Sequence, residues 1–206
     1  MSKPLNIIIA GGGTGGHLFP GIAIADAFMA ENPKNRVFFI GTDKTFEINI
    51  LAKAGYLHQK ITAHGIKGLG IINGLRTMAI IPKGIWEAVK IIRLIKPDLV
   101  IGVGGYSSGP VVLAAKFLGI KTAVHEQNSI PGITNRILSI LTDRVYTSFA
   151  NTEIRPITKA NTGFDRKRIL LTGNPVRKEI LSAGIKEPEN SGSDNSGAGN
   201  KKNLFT

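Results

Sequence analysis

Two glycine-rich segments carry the residue types that bind anions through the backbone. Residues 11–16 match the pattern G-x-G-x-x-G through Gly11, Gly13 and Gly16, between an apolar run and a helical pattern. Residues 102–110 repeat this arrangement further along the chain. Glycine lets the backbone approach a ligand, and a helix start supplies N–H groups and a partial positive charge. Two such loops at one sheet edge predict a wide anion site that suits a diphosphate; turns that bind no ligand remain the alternative.

The first loop departs from two familiar nucleotide-binding patterns. His17 stands where a Walker loop has its lysine, so that loop type is excluded. A dinucleotide site needs a carboxylate at the end of the second strand, where this chain has Gly41 and Thr42, with Asp43 only afterwards. An NAD-dependent oxidoreductase is therefore a disfavoured alternative.

A third polar segment is the run His-Glu-Gln-Asn at residues 125–128, which follows another apolar run. In an open α/β sheet, ligands bind where the strands end. The segment therefore predicts a part of the same site. The alternative is that Glu126 and Asn128 only cap the next helix.

The elements that must position these segments alternate between short apolar runs and amphipathic stretches. Strands are predicted at residues 5–10, 36–40, 57–62, 98–103, 121–125, 144–147 and 168–172. Helices are predicted at 17–31, 43–54, 82–95, 108–118 and 133–141, with a glycine-rich apolar loop at 64–75. This alternation predicts an α/β fold with a Rossmann-like, doubly wound parallel sheet.

The composition changes after the last predicted strand. Residues 1–185 are predicted to form one domain, and residues 186–206 a polar linker or tail. The tail ends in Leu204-Phe205-Thr206, which resembles the start of another strand. We expect a missing second domain at this point, supplied in the same protein or in trans.

The charge balance narrows the classes of partner. The net charge is +12, which is compatible with nucleic acid, anionic lipid or phosphorylated substrates. Three Tyr and one Trp are few for a base-stacking surface, so nucleic acid is disfavoured. The chain has no Cys, which excludes disulfides and thiolate metal sites. No run approaches the roughly 18 apolar residues of a spanning helix, so a soluble or peripheral protein is expected.

Five motifs together resemble the N-terminal domain of the MurG family of bacterial glycosyltransferases. They are GGTGGHLFPG at 12–21, GGYSSGP at 104–110, HEQN at 125–128, TNR at 134–136 and GNPVR at 173–177, in the family's order and spacing. The resemblance implies one half of a GT-B architecture, with two Rossmann-like domains facing a cleft. It also implies transfer of N-acetylglucosamine from UDP-N-acetylglucosamine to the C4 hydroxyl of lipid-linked N-acetylmuramyl-pentapeptide, with inversion and without a metal or cofactor.

The resemblance assigns roles to residues that match the motifs. It places the acceptor against Gly13, Gly104, Gly105, Tyr106, Ser107, Glu126 and Asn135. It places the donor near Thr14, Gly15, Gly16, Asn128 and Arg177. His17 is the predicted general base, because an imidazole can accept a proton near neutral pH and a helix N-terminus favours its neutral form. The alternative is that His17 only hydrogen-bonds a ligand.

The apolar stretch around residues 66–81 is interleaved with lysine and arginine. The resemblance implies a peripheral protein on the cytoplasmic face of the bacterial inner membrane. The predicted contact with anionic lipid comprises Ile71, Ile72, Leu75, Ile80 and Ile81. A core-facing amphipathic helix with a solvated basic face is the alternative.

Two functions therefore agree with the sequence. One is half of an enzyme, and the other is a non-catalytic module that binds a lipid-linked diphosphate.

Overall fold

The computed structural model describes residues 3–63, 71–152, 154, 166–177 and 180, and for residues 71–80 and 166 it describes the backbone alone. The predicted tail at 186–206 lies outside the described residues. The strands are β1 (Asn6–Gly11), β2 (Arg36–Gly41), β3 (Leu57–Lys60), β4 (Leu99–Gly104), β5 (Lys121–Glu126), β6 (Arg144–Thr147) and β7 (Ile169–Leu171). The helices are α1 (Gly15–Glu31), α2 (Thr45–Lys53), α3 (Ile71–Ile95), α4 (Ser108–Phe117) and α5 (Ile133–Leu141), with a 3₁₀ turn at Arg166–Arg168.

The strands form one parallel sheet in the order β3-β2-β1-β4-β5-β6-β7. β1 pairs with β2 on one side and with β4 on the other, so the chain changes winding direction between β1 and β4. In doubly wound sheets, the crevice at such a switch point is where ligands bind. The predicted Rossmann-like parallel sheet is confirmed, and both glycine loops begin at this crevice.

Each face of the sheet has its own apolar layer. In β1, Ile7 and Ile9 belong to a cluster with Leu18 of α1, whereas Ile8 joins a cluster with Val111 of α4. Successive strand residues point to opposite faces, so a strand buried on both faces requires a continuous apolar run. This requirement explains why β1 reads as Ile-Ile-Ile-Ala at residues 7–10.

Helix α3 differs from its prediction, because it begins at Ile71 and not near Pro82. The predicted loop at 64–75 is therefore wrong for residues 71–75. Proline weakens a helix interior because it lacks an N–H donor, yet Pro82 lies within α3. The apolar residues at 71, 75 and 78 have helical spacing, which favours continuation through the proline. Among the described helices, none is long and apolar enough to cross a bilayer.

Asp143, which directly precedes β6, is hydrogen-bonded to both β5 and α4. Its carboxylate accepts hydrogen bonds from Thr122 N at 2.8 Å, Thr122 Oγ1 at 3.0 Å and Lys116 Nζ at 2.8 Å. Burial acts to raise the pKa of Asp143, but these bonds outweigh it and lower the pKa from 3.8 to about 2. The ionised form is therefore favoured more in the folded chain than in the unfolded chain.

Replacing Asp143 by Asn is expected to lower the free energy of unfolding by about 1 kcal/mol at pH 7, a value reduced for the partial exposure of this carboxylate. A lowered folded-state pKa gives stability that is present above the unfolded value of 3.8 and lost as pH falls towards about 2. The stability difference between the two proteins should thus shrink between pH 4 and 2. Urea unfolding across this pH range measures it, and a difference independent of pH would contradict the assignment.

Candidate functional site

The two glycine loops contact each other through their backbones. Gly12 N donates a hydrogen bond to Gly104 O at 3.3 Å. A Cβ atom at Gly105 would lie 2.4 Å from Gly12 O, and one at Gly11 would lie 2.4 Å from Gly104 O. No side chain fits at such separations, so these positions require glycine for close approach. The prediction that the loops share one edge of the sheet is confirmed.

Above the loops lies a hollow of about 510 Å³, called the loop hollow below. It is lined by Gly12, Gly13, Thr14, His17, Lys44, Gly104, Gly105, Tyr106, Glu126, Gly132, Ile133, Thr134 and Asn135. Six of the seven predicted acceptor residues are in this list, and the predicted base His17 lines the hollow with them. The exception is Ser107, which is 1% exposed and whose Oγ has no hydrogen-bond partner among the described residues.

The loop hollow has the chemistry of an anion site. Helices α1 and α4 begin beside it, and in the described structure their N-cap residues Thr14 and Ser107 make no side-chain capping bond. No side chain therefore caps the first N–H groups of α1 and α4, and the positive ends of both helix dipoles lie beside the loop hollow. Lys44 adds a cation, with its Nζ donating to Gly13 O at 3.2 Å. Two helix starts and an ammonium group suit two neighbouring phosphates.

Glu47 is a site-shaping residue that sequence reasoning missed. Its carboxylate is 1% exposed and accepts hydrogen bonds from Gly13 N, and from Thr42 N and Thr42 Oγ1 at 2.9 Å each. Through these bonds Glu47 holds the first glycine loop to the end of β2. Its place in the first turn of α2, just past β2, was the available signal.

Glu126 lines the loop hollow, but other parts of the chain hold its carboxylate. It is fully buried and accepts bonds from Asn128 N, Asn128 Nδ2, Gly132 N and Asn135 Nδ2 at 2.8–3.1 Å. Gly132 is the N-cap of α5. Glu126 thus ties the N-cap residue of α5 to the end of β5 while it also lines the loop hollow. Asn135 keeps a buried Oδ1 without a partner among the described residues.

His17 is in contact with the HEQN segment. Its Nδ1 lies 3.2 Å from Gln127 Oε1, and Gln127 Nε2 lies 3.2 Å from His125 Nδ1. Burial lowers the pKa of His125, and its hydrogen bond to Gly173 O and the charge of Glu126 oppose that shift only in part. Gln127 was placed in the HEQN segment of the predicted site, but no role was assigned to its side chain.

The predicted donor residues are not gathered in one place. Gly15, Gly16 and Arg177 line a second hollow of about 470 Å³ beside α1, where the Arg177 guanidinium lies 4.2 Å from the centroid of the Phe19 ring. Thr14 lines the loop hollow. Asn128 lines neither, because its side-chain amide donates to Glu126. The start of α1 therefore has the predicted acceptor residues on one side and most predicted donor residues on the other.

The predicted membrane contact is described only in part. Ile71, Ile72, Leu75 and Ile80 lie on α3, but their side chains are outside the described residues. Ile81 is described and is 37% exposed. In the described ranges no group of three or more His, Asp or Glu side chains could hold a metal ion.

Comparison with known proteins places these features in a family. The model of the glycosyltransferase family 28 N-terminal domain matches residues 7–147. The UDP-N-acetylglucosamine--N-acetylmuramyl-(pentapeptide) pyrophosphoryl-undecaprenol N-acetylglucosamine transferase of Citrifermentans bemidjiense is 46% identical over 177 residues, which is 86% of this chain and 47% of the relative. The enzyme of that name from Pelobacter propionicus is 39% identical over 201 residues, 94% of this chain and 51% of the relative. The chain thus spans about half the length of the curated relatives it matches.

Solved structures share the fold of this chain. MurG of Acinetobacter baumannii superimposes with a TM-score of 0.67 at 29% identity, covering 90% of this chain and 50% of that one. The UDP-GlcNAc 2-epimerase of Neisseria meningitidis bound to UDP-GlcNAc superimposes with a TM-score of 0.62 at 12% identity, covering 87% and 49%. At that identity the second likeness concerns the fold alone.

Proposed function

The chain belongs to glycosyltransferase family 28 through its N-terminal domain, and we propose that it is the acceptor-binding half of a peptidoglycan-precursor glycosyltransferase. The reaction is transfer of N-acetylglucosamine from UDP-N-acetylglucosamine to the C4 hydroxyl of N-acetylmuramyl-pentapeptide on undecaprenyl diphosphate, with inversion. The names of the relatives support the two substrates. The relatives are about twice as long as this chain, and we infer that the other half of such an enzyme holds most of the donor.

The observation that carries this proposal is the anion chemistry of the loop hollow. The loop hollow is lined by Lys44, by Thr14 at the N-cap of α1 and by residues 104–106, which lead into α4, and this lining fits the diphosphate of the acceptor. His17 lines the same space and takes the proton of the attacking hydroxyl. The second hollow, with Gly15, Gly16 and Arg177, then faces the donor. Holding donor and acceptor in line supplies much of the rate in such a transfer.

A small apolar cavity adjoins the loop hollow and supports a lipid-linked acceptor. Its volume is about 140 Å³, and it shares Tyr106, Ile133 and Thr134 with the loop hollow. Beyond them it is lined by apolar groups of α3, α4 and α5, among them Ile81 and Leu113. A hydrocarbon chain attached to a bound diphosphate would lie here and lead towards the predicted membrane contact on α3. We therefore place the protein peripherally on the cytoplasmic face of the inner membrane.

The membrane contact predicts the behaviour of two variants. Ile71→Asp and Ile72→Asp are each expected to reduce binding to vesicles that contain anionic phospholipid, because a carboxylate opposes both insertion and the negative surface. Vesicle flotation measures the bound fraction. Leu94→Asp is the matched control, since Leu94 lies near the other end of α3 and is 84% exposed. If both isoleucine variants float as well as the control, the proposed contact is wrong.

The proposed activity is tested by transfer of labelled N-acetylglucosamine from its UDP donor to a short-chain lipid acceptor. The assay uses this chain with and without the separately expressed C-terminal half of the Citrifermentans relative. Activity only in the mixture supports the acceptor-half proposal. Binding of acceptor without transfer in either case favours the second candidate, a non-catalytic module for lipid-linked diphosphates. That candidate is favoured by the loop hollow being formed within this chain alone.

A further inference from the structure

A continuous series of polar contacts runs from His17 to the loop before Arg177. His17 Nδ1 lies 3.2 Å from Gln127 Oε1, and Gln127 Nε2 lies 3.0 Å from Val103 O and 3.2 Å from His125 Nδ1. His125 Nε2 lies 3.2 Å from Gly173 O. Gln127 is 7% exposed and His125 is 2% exposed, so water does not replace these partners easily. The series contains two backbone carbonyl groups, which can only accept hydrogen bonds.

The carbonyl of Val103 fixes the orientation of the Gln127 amide. A carbonyl accepts only, so the group facing Val103 O must be the NH₂ of Gln127. The amide oxygen then faces His17, and this oxygen is also an acceptor only. If the amide were turned over, Gln127 Oε1 would face Val103 O, and two buried acceptors would be left without a proton between them. His17 Nδ1 must therefore carry the proton of this bond.

The carbonyl of Gly173 fixes the other histidine in the same way. His125 Nε2 must carry a proton to donate to Gly173 O, so neutral His125 has an unprotonated Nδ1. That nitrogen accepts the second N–H of the Gln127 amide. Burial lowers the pKa of His125 and keeps it in this neutral form. Each polar atom of the Gln127 side chain thus has a partner of the required kind.

We propose that Gln127 is a positioning residue that holds His17 in the tautomer with the proton on Nδ1 and the lone pair on Nε2. The catalytic meaning of this tautomer depends on the function proposed above, in which His17 is the base. An imidazole with a single proton can accept another only at its unprotonated nitrogen. Gln127 therefore determines that Nε2 is the nitrogen able to take a proton from a hydroxyl bound in the loop hollow.

The ring of His17 is also restrained from a second side. A Cβ atom on Gly104 would lie 2.7 Å from His17 Nδ1 and 2.8 Å from its Cε1, so the imidazole packs directly on the second glycine loop. Packing against Gly104 limits the position of the ring, but a glycine backbone does not choose between two tautomers. The hydrogen bond to Gln127 selects the tautomer. The two contacts together fix the position of the ring and the nitrogen that carries its proton.

The test is a long-range ¹H–¹⁵N NMR spectrum of the chain labelled at its four histidines, recorded at mildly alkaline pH. The His17 signals are assigned by their loss in His17→Gln. The spectrum separates protonated from unprotonated ring nitrogens, and the wild type is expected to show His17 protonated at Nδ1. Gln127→Met removes the acceptor at similar size and is expected to shift His17 towards the Nε2-protonated form.

A wild-type His17 protonated at Nε2 overturns the proposal, as does a folded Gln127→Met variant with an unchanged His17 tautomer. Unchanged His58 signals check that the variant is folded. If Gln127→Met does not fold, the wild-type spectrum still decides, since it must show the proton on Nδ1 of His17. In the two-part transfer assay, kcat is expected to fall about tenfold or more in Gln127→Met, with the KM for the donor unchanged. The spectrum is recorded without enzymatic activity, so it tests the proposed tautomer of His17 independently of the proposed function.

Discussion

Replacing His17 by Gln is expected to lower kcat in the two-part transfer assay by a factor of about 10²–10⁴, the usual contribution of a general base. Glutamine has a similar length and still forms hydrogen bonds, but it does not accept a proton near neutral pH. His17 lines the loop hollow without being part of its backbone cradle. The affinity for a lipid-linked acceptor should therefore change little. The measurement is kcat together with the dissociation constant of a labelled acceptor.

Variants of His17 distinguish its two candidate roles, a general base and a residue that only hydrogen-bonds a ligand. If the imidazole only binds a ligand, His17→Gln keeps most of kcat, and the base assignment is wrong. A second variant, His17→Ala, leaves a space beside Gly104, against which the imidazole ring packs. Added imidazole is expected to restore part of the activity of His17→Ala, because a free base can occupy that space. It should not restore Gln127→Met, in which the ring is still present.

The parts of the fold that follow from local pattern were predictable. β1, β2 and β4 are buried on both faces, so their apolar runs are nearly continuous and stand out against the amphipathic helices. The start of α3 was not predictable in this way. Proline is tolerated in the first turn of a helix and disfavoured in its interior, so Pro82 indicates a start there, against the helical spacing of the apolar residues at 71, 75 and 78. Tertiary packing can override a local preference, and a reading of neighbouring residues cannot detect that.

In the site, too, features that follow from neighbouring residues were predictable, whereas contacts between residues far apart in the sequence were not. Both glycine loops were predictable as one site, because each follows a strand and parallel strands end at the same edge of the sheet. Glu47 and Gln127 were not, because their contacts join distant parts of the chain. Glu47 holds Gly13 across 34 residues, and Gln127 contacts His17 across 110. Such contacts depend on the order of the strands in the sheet, and a single sequence does not reveal that order.

Glu126 shows why residue type alone does not fix a role. A carboxylate beside a ligand hollow is a natural choice for an acid, a base or a ligand contact. Here four donors of the chain already surround its oxygens, and it is fully buried. A carboxylate has about four acceptor positions, and donors of the chain occupy both oxygens of Glu126 twice, so neither oxygen is free for a substrate hydroxyl. This leaves His17, whose Nδ1 alone is hydrogen-bonded in the described structure, as the residue suited to proton transfer.

Replacing Gly105 by Ala is expected to lower the free energy of unfolding by about 2–5 kcal/mol. Gly105 has φ of +83°, and a left-handed conformation costs a residue with a Cβ roughly 1–2 kcal/mol. Its new methyl group would also lie 2.4 Å from Gly12 O, and relieving such overpacking typically costs a further 1–3 kcal/mol. The neighbouring atom is backbone and cannot rotate away. Urea unfolding followed by circular dichroism gives the value.

Gly119→Ala is the matched control, because it separates backbone strain from the contact between the loops. Gly119 has a similar φ of +71°, but no described atom lies within 4 Å of the position its Cβ would take. Gly119→Ala should therefore lose only the stability that the left-handed conformation costs, about 1–2 kcal/mol. The excess in Gly105→Ala then measures how strongly the two loops depend on each other's position. Because relief of the contact must separate Gly105 from Gly12, the same variant should also weaken acceptor binding, whereas Gly119→Ala should not. Equal losses of stability in the two variants would show that the loops tolerate separation, and the loop hollow would then not require close backbone contact.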